Sequence, residues 1–106
     1  MIVTTVHTIK GKKIVKTLGL VRGNTIRVRH IGRDIMAALK NLVGGEVREY
    51  TKLMAESREQ AIDRMVAEAE RIGGNAVIGL RFTTSMLMGG AAELLAYGTA
   101  VKIEDE

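Results

Sequence analysis

The pattern of apolar and polar positions predicts an amphipathic helix over residues 46–72. At 100° per residue one face is apolar, with Val47, Met54, Ala61, Met65, Ala69 and Ile72, flanked by Tyr50, Ile62 and Val66. The opposite face is mostly acidic, with Glu49, Lys52, Glu56, Glu59, Asp63 and Glu70. Gly73 and Gly74 end the helix, because glycine adopts the left-handed C-terminal conformation without a Cβ clash. A helix this long would span about 40 Å, so we expect part of it to pack on a neighbouring subunit.

A second interpretation places a break in this helix near residues 55–57. Ser57 is followed two positions later by Glu59 and three positions later by Gln60, and a polar residue three positions on is the spacing of an N-terminal capping box. The pattern alone leaves both the continuous and the interrupted helix open.

Arg58 interrupts the apolar face of the predicted helix, in line with Met54 and Ala61. A charged side chain in that position must reach solvent, pair with a carboxylate or lie at an opening. We expect a structural ion pair within or between subunits, because buried arginines are normally paired. Glu93 is the favoured partner and Asp34 the second choice, and an anion-binding site is the alternative.

Segments rich in β-branched residues predict a small sheet. The predicted strands are residues 2–9, 14–21, 25–29, 75–84 and 93–103. The first two form an N-terminal hairpin, Gly19 marks a bulge, Gly23-Asn24 separates the second strand from the third, and the third is an edge strand protected by its arginines. A short helix is predicted over residues 35–43. The fold class is therefore α+β, with a mixed or antiparallel sheet packed on one long and one short helix.

The last predicted strand has two faces suited to burial. One face carries Leu95, Tyr97, Thr99, Val101 and Ile103. The other carries smaller side chains, at Leu94, Ala96, Gly98 and Ala100, against which a backbone or a helix could pack closely. This pattern predicts a central strand or a subunit interface.

Composition bounds the class of protein. The 106 residues form a single domain over residues 1–106, and the chain contains no cysteine or proline. The absence of cysteine fits a reducing cytosol, so we expect a cytoplasmic protein. No apolar run approaches the length of a membrane span, so no membrane partner is expected.

The net charge of +4 conceals an uneven distribution of charge along the sequence. Asp34 is the only acidic residue before residue 46, and nine basic residues precede position 41. A basic front half raises nucleic-acid binding as a possibility. It carries no recognition motif and no interleaved aromatic residues for base stacking, so we favour attraction between oppositely charged segments of the fold or assembly.

Candidate chemistry is sparse. His7 and His30 are the only histidines, and Met86 and Met88 are thioether groups that could bind Cu(I). Loop packing or an apolar interface patch is the favoured interpretation of the methionines. A divalent or soft metal ion could still be held where subunits meet. The chain has no cysteine and no Gly-x-Ser-x-Gly motif, so we predict no catalytic residues and no enzymatic activity.

Four blocks in a fixed order carry a resemblance to a known family. They are GGEVREY at 44–50, AESREQAIDR at 55–64, GGNAVIGLRF at 73–82 and ELLAYGTAV at 93–101, and the GRD at 32–34 fits as well. Together they resemble the YbjQ-like family, with departures at Gly74, where the family more often has alanine, and at Thr83, where it often has aspartate. The resemblance implies a small α+β chain that assembles as a ring-shaped homopentamer, and a heavy-metal-binding label. The family positions carried over are Arg58, Asn75, Arg81, Glu93, Tyr97 and Gly98.

We therefore expect a non-enzymatic homo-oligomer, a pentamer by resemblance, that acts in binding or as a scaffold. Its expected polar core or pore lining is a cluster of Arg58, Arg81 and Glu93 with Tyr97 and Asn75. The alternative is a metal- or small-ligand-binding module with sites at subunit interfaces, using His7, His30, Met86 or Met88.

Overall fold

The computed structural model describes residues 1–27, 48–86 and 92–106. In these ranges the elements are β1 (Ile2–Val3), β2 (Lys12–Arg27), α1 (Arg48–Arg71), β3 (Ala76–Met86) and β4 (Ala92–Asp105). The strands form one mixed four-stranded sheet in the order β1-β3-β4-β2. β1 runs parallel to β3, and the other neighbours are antiparallel. The fold is therefore α+β, as predicted, while the predicted short helix at 35–43 lies outside the described residues.

The predicted N-terminal hairpin is wrong. β1 pairs with β3 at Ala76 and Val77, whereas β2 pairs with β4 along its whole length. The chain after β1 continues beside β3, because the Thr4 amide donates to the Val77 carbonyl at 2.9 Å and the Leu80 amide donates to the Thr4 carbonyl at 3.0 Å. These contacts with a strand distant in sequence replace the local pairing that the β-branched pattern suggested.

β2 is one strand of 16 residues, so the predicted break at Gly23-Asn24 is also wrong. The glycine is needed because α1 crosses directly over it: a Cβ on Gly23 would collide with the Ala61 carbonyl oxygen and lie 2.8 Å from the Arg64 Cβ. The bulge predicted at Gly19 is confirmed by a register shift between Thr17 and Gly19 and by a φ of 122°. β2 is the outermost described strand on its side of the sheet, which confirms the predicted edge for residues 25–27.

α1 is continuous from Arg48 to Arg71, so the break proposed near residues 55–57 is excluded. Its C-terminal stop is confirmed: Gly73 has a φ of 93°, and the Gly74 amide donates to the Ala69 carbonyl at 2.8 Å. That left-handed conformation and backbone hydrogen bond satisfy carbonyls that the last helical turn leaves without a partner. Residues 46 and 47 lie outside the described ranges.

The buried stripe of α1 recurs every four residues, at Ser57, Ala61, Met65 and Ala69. It packs on the side of the sheet to which β4 presents its small side chains, and Ala96 and Ala100 there are fully buried. We call this side the helix face. β4 lies between β3 and β2, so the prediction of a central strand is confirmed.

The other side of the sheet, which carries the odd-numbered residues of β4, is only partly covered. A small second core of Ala76, Ile78, Val101 and Ile103 lies at one end, with Ile9 packed against it. Toward the other end of the sheet, the side chains of β2 and β3 are exposed. We call this side the open face.

Candidate functional site

The open face brings together three of the five residues predicted to form a polar cluster. In the strand register, Tyr97 of β4 stands between Arg22 of β2 and Arg81 of β3, and Glu93 stands between Ile26 and Ser85. Directly opposed residues of neighbouring strands point to the same side of a sheet. Arg81, Tyr97 and Glu93 therefore lie on one surface.

Arg81 is held by the N-terminal segment of the chain. Its Nη1 donates to the Leu80 carbonyl at 2.7 Å and to the Thr5 carbonyl at 3.0 Å. Both acceptors are backbone groups, so the guanidinium fastens the segment after β1 to β3. The rest of the side chain is exposed.

Glu93 does not pair with Arg58 within one chain. The Glu93 carboxylate accepts a hydrogen bond of 3.3 Å from the Asn24 amide, and no ion pair between described residues joins it to Arg58. Arg58 is exposed on α1, which covers the helix face, whereas Glu93 lies on the open face. The expectation that Arg58 occupies a buried face is thus wrong for the single chain, because the buried stripe runs through Ser57 and Arg58 lies about 100° round the helix from it. Asp34 lies outside the described residues.

Asn75 has a structural role at the junction of α1 and β3. Its Nδ2 donates to the Ile103 carbonyl at 3.0 Å, and its Oδ1 accepts from the Ile103 amide at 2.8 Å. The side-chain amide thus takes the place of a strand residue and fastens the end of β4 to the turn after α1.

Gly98, the sixth position carried over from the family, is required by packing. A Cβ there would lie 2.7 Å from Val77 Cγ1 and 3.0 Å from the Ile78 carbonyl oxygen. No larger residue fits at this point of β4 without displacing β3, so Gly98 also has a structural role.

The two candidate metal ligands that the structure describes lie far apart. His7 packs on Gly79, where an added Cβ would lie 3.1 Å from His7 Cε1. Met86 is 74% exposed at the end of β3, seven residues along the strand from Gly79, which is about 23 Å. His30 and Met88 lie outside the described residues. Within the described ranges no three His, Cys, Asp or Glu side chains form a group that could hold a metal ion.

Two strand edges are free within the described residues. On β2, Leu20 is 67% exposed and Ile26 is 54% exposed, beside the edge that the sequence predicted at residues 25–29. On β3, every residue from 81 to 86 is exposed, and the sequence reasoning missed this second edge. The alternation of apolar and polar residues along β3 does not tell a strand paired on both sides from a strand paired on one.

Arg64 of α1 forms a hydrogen bond with one backbone group at the β2 edge. Its Nη1 donates to the Asn24 carbonyl at 2.6 Å. The prediction that arginines protect this edge named residues of the strand itself, whereas the contact comes from the helix.

The described ranges contain two ion pairs on the surface of the fold. Arg71 binds Glu68 through two hydrogen bonds, of 2.6 and 2.9 Å, and these hydrogen bonds lower the pKa of the Glu68 carboxyl group. Lys12 pairs with Asp105 and lowers the pKa of that carboxyl group in the same way. Neither pair includes a residue next to Tyr97 in the strand register.

No helix within the described ranges is both long enough and apolar enough to cross a bilayer.

A family model described as "Putative heavy-metal-binding" matches residues 1–104. The chain belongs to the YbjQ family. That membership confirms the resemblance carried by the four sequence blocks. The family description concerns metal, but the described part of this chain does not by itself bring a set of metal ligands together.

Relatives of this YbjQ chain match over nearly the full length. A UPF0145 protein from Methanosarcina acetivorans is 59% identical over 103 residues, covering 97% of each chain. One from Archaeoglobus fulgidus is 52% identical, covering 97% of this chain and 95% of the relative. One from Thermosipho africanus is 55% identical, covering 98% and 96%. The names of these relatives assign no enzymatic activity.

A solved structure shares the fold of this YbjQ chain. It is a protein of unknown function of the DUF74 family from Pediococcus pentosaceus, with a TM-score of 0.67 and 17% sequence identity, covering 98% of both chains. At that identity the likeness concerns the fold alone.

Proposed function

We propose that this YbjQ chain is a non-enzymatic, cytoplasmic homo-oligomer, a ring of five chains by family resemblance, that acts in binding or as a scaffold. The observation that carries the proposal is the shape of the single chain. Its radius of gyration is 17.3 Å and its extents are 55 × 26 × 16 Å, whereas a compact domain of this length has a radius of gyration of about 13 Å.

The accessible surface supports the same conclusion. The chain exposes 7208 Å², whereas a monomeric protein of its mass exposes about 5,800 Å². The excess of about 1,400 Å² exceeds the roughly 800 Å² that one partner contributes to a standard interface. A subunit of a ring contacts two neighbours, so a large excess of surface is expected of it.

Assembly would also give the predicted polar cluster a setting. Arg81, Tyr97 and Glu93 share the open face of one chain, and in a ring this face could line the core or the pore. Arg58, exposed on α1, would then pair with a carboxylate of a neighbouring subunit, and Glu93 is our first choice.

Native mass spectrometry of gently purified protein, before any chelator or dialysis, tests this proposal. A pentamer without added mass supports assembly as the main property. A pentamer with a discrete added mass per chain or per ring favours ligand binding and gives the mass of the ligand. A monomer contradicts the proposal.

The second candidate is a metal- or small-ligand-binding module with sites at subunit boundaries. The exposure of Met86 at the end of β3 favours it, because a soft thioether there is open to a neighbouring chain. Its other ligands would be His7, His30 or Met88. Titration with Cu(I), Zn²⁺ and Ni²⁺ tests this candidate. If none of the three metals produced heat of binding or a shift in melting temperature, the candidate would be contradicted.

Nucleic-acid binding through the basic front half is a third class, which we do not favour. It requires an affinity that falls steeply with salt concentration. Failure of the protein to bind heparin at low salt would exclude it.

A further inference from the structure

Among the residues that the structure describes, the sheet has an unpaired edge on each side. β2 is outermost on one side, and the described chain places no strand beyond it. On the other side β1 covers β3 only at Ala76 and Val77, and backbone hydrogen bonds from the segment after β1 extend this cover to Leu80. The described chain places no strand beside residues 81–86 of β3. An unpaired edge with exposed amides and carbonyls is a template for a further strand.

The outward groups of β2 can be identified from one contact. The Asn75 amide donates to the Val101 carbonyl at 3.1 Å, so the backbone groups of Val101 face β3, and by alternation along β4 those of Leu95 do too. Asn24 stands opposite Leu95, so the backbone groups of Asn24 face away from β4. Residues two apart in a strand direct their backbone groups to the same side. Leu20, Arg22 and Ile26 therefore also face outward.

The same alternation identifies the outward groups of β3. Leu95 of β4 stands opposite both Asn24 and Thr83. The backbone groups of Leu95 face β3. Thr83, which stands opposite Leu95, directs its own backbone groups toward them. The neighbouring Thr84 then has its amide and carbonyl on the free side of β3.

Charge selects between the ways in which two copies could join. β2 carries five basic and no acidic residues, so two β2 edges brought side by side would place like charges together. Residues 81–86 carry one basic residue and are otherwise uncharged. Pairing of β2 with β3 therefore avoids most of the repulsion that a β2–β2 contact would meet.

Apolar side chains flank both edges. Leu20 and Ile26 are exposed on the open face beside the β2 edge, and Phe82 and Met86, at 40% and 74%, are exposed on the helix face beside the β3 edge. In a continued sheet each of these side chains would lie over the neighbouring copy's strand on its own face, and its burial there would stabilise the contact.

We propose that a second copy of this chain extends the sheet, with the outer edge of β2 in one copy paired to residues 81–86 of β3 in the next. The inference rests on the proposed homo-oligomer and adds the surface through which it forms. β2 and β3 are each antiparallel to β4 and hence parallel to each other, so a continued sheet joins them as parallel strands. Two different patches meet, and such a contact repeats from copy to copy until the rotation closes a ring.

Proline at Thr84 tests the edge directly. Thr84→Pro removes an amide that faces outward, and proline is tolerated on the free side of an edge strand. Thr84→Val keeps the amide and the branched shape, and is the matched control. We expect Thr84→Pro to weaken association about tenfold per interface, which is the effect of one lost hydrogen bond, and Thr84→Val to assemble as the wild type does. Circular dichroism verifies that both variants are folded.

Crosslinking provides a test that does not depend on proline. The chain has no cysteine, so single-cysteine chains can be mixed and treated with a short bis-maleimide. On two parallel neighbouring strands, a residue whose backbone groups face the neighbour stands beside a residue whose backbone groups face away from it. Asn24 of one copy would therefore stand beside Thr83 or Ser85 of the next copy. We expect Asn24→Cys chains to link to Thr83→Cys or Ser85→Cys chains. Glu56→Cys, on the outer side of α1, is the control that should not link to Asn24→Cys.

The outcomes separate this inference from the proposed function. A wild-type monomer overturns both. A wild-type ring that is unchanged by Thr84→Pro, or in which Asn24→Cys chains link only to one another, overturns the β2–β3 contact and leaves the oligomer intact. Association that is weakened by Thr84→Pro and not by Thr84→Val, together with links only in the mixed chains, supports the contact.

Discussion

Gly23 of β2 lies directly beneath Ala61 of α1, so close that a methyl group at Gly23 would overlap the Ala61 carbonyl oxygen. The helix and the strand approach each other here without an intervening side chain. This contact fixes where the long helix crosses the sheet.

Gly23→Ala should destabilise the fold substantially. The added methyl meets helix backbone and not a flexible side chain, and overpacking of this kind costs about 1–3 kcal/mol or more. Chemical denaturation measures the loss. Gly11→Ala is the control, because Gly11 has a φ of 82° but open space around it, so only a backbone strain of about 1 kcal/mol is expected. Equal losses at the two sites would contradict the close crossing.

Asn75→Ala should cost about 2 kcal/mol of stability, because it removes two hydrogen bonds to the backbone of Ile103. Thermal or urea unfolding measures the change. Asn24→Ala removes only an exposed side-chain hydrogen bond of 3.3 Å and should cost much less. If both variants were as stable as the wild type, Asn75 would not fasten β4 to the turn after α1.

The Glu68–Arg71 pair should make stability depend on pH in acid. Arg71 lowers the pKa of Glu68 below its ordinary value of 4.5, so the unfolded chain binds the proton more readily than the folded chain does. The stabilisation is complete above about pH 4.5 and is lost as the pH falls through the folded-state pKa. Melting temperatures of the wild type and Glu68→Gln should therefore converge in acid.

Salt provides the control for this pair, since both side chains contact water and added salt screens exposed charges. The difference between the wild type and Glu68→Gln at neutral pH should shrink as salt is added. A difference that grows on acidification would contradict the assignment.

Arg58→Ala should leave the stability of the isolated chain nearly unchanged, because Arg58 is exposed in the single chain. If its carboxylate partner belongs to a neighbouring subunit, the same substitution should weaken the oligomer. Sedimentation velocity over a range of concentrations measures association, with Lys52→Ala, another exposed cation of α1, as the control. Unchanged assembly would remove Arg58 from the proposed interface.

Only part of the candidate cluster could be anticipated from sequence spacing. The period of two in β4 predicted the face that carries Tyr97, and the strand register adds Glu93 and Arg81 to that face. Arg58 could not be placed in this way, because the apolar positions of α1 allow several angular offsets. The close approach at Gly23 selects the stripe through Ser57 and Ala61, and that choice leaves Arg58 in solvent.

The sequence by itself determined the long helix, its glycine stop, the bulge at Gly19 and the two-faced central strand. These features depend on the spacing of neighbouring residues and on the conformational freedom of glycine. It did not determine that β1 joins β3, that β2 continues through Gly23, or that residues 81–86 of β3 lie beside no other described strand on their outer side. Those depend on contacts between residues far apart in the chain, such as Ala61 over Gly23 and Thr4 beside Val77, and local propensity carries no information about such contacts until the tertiary fold brings them together.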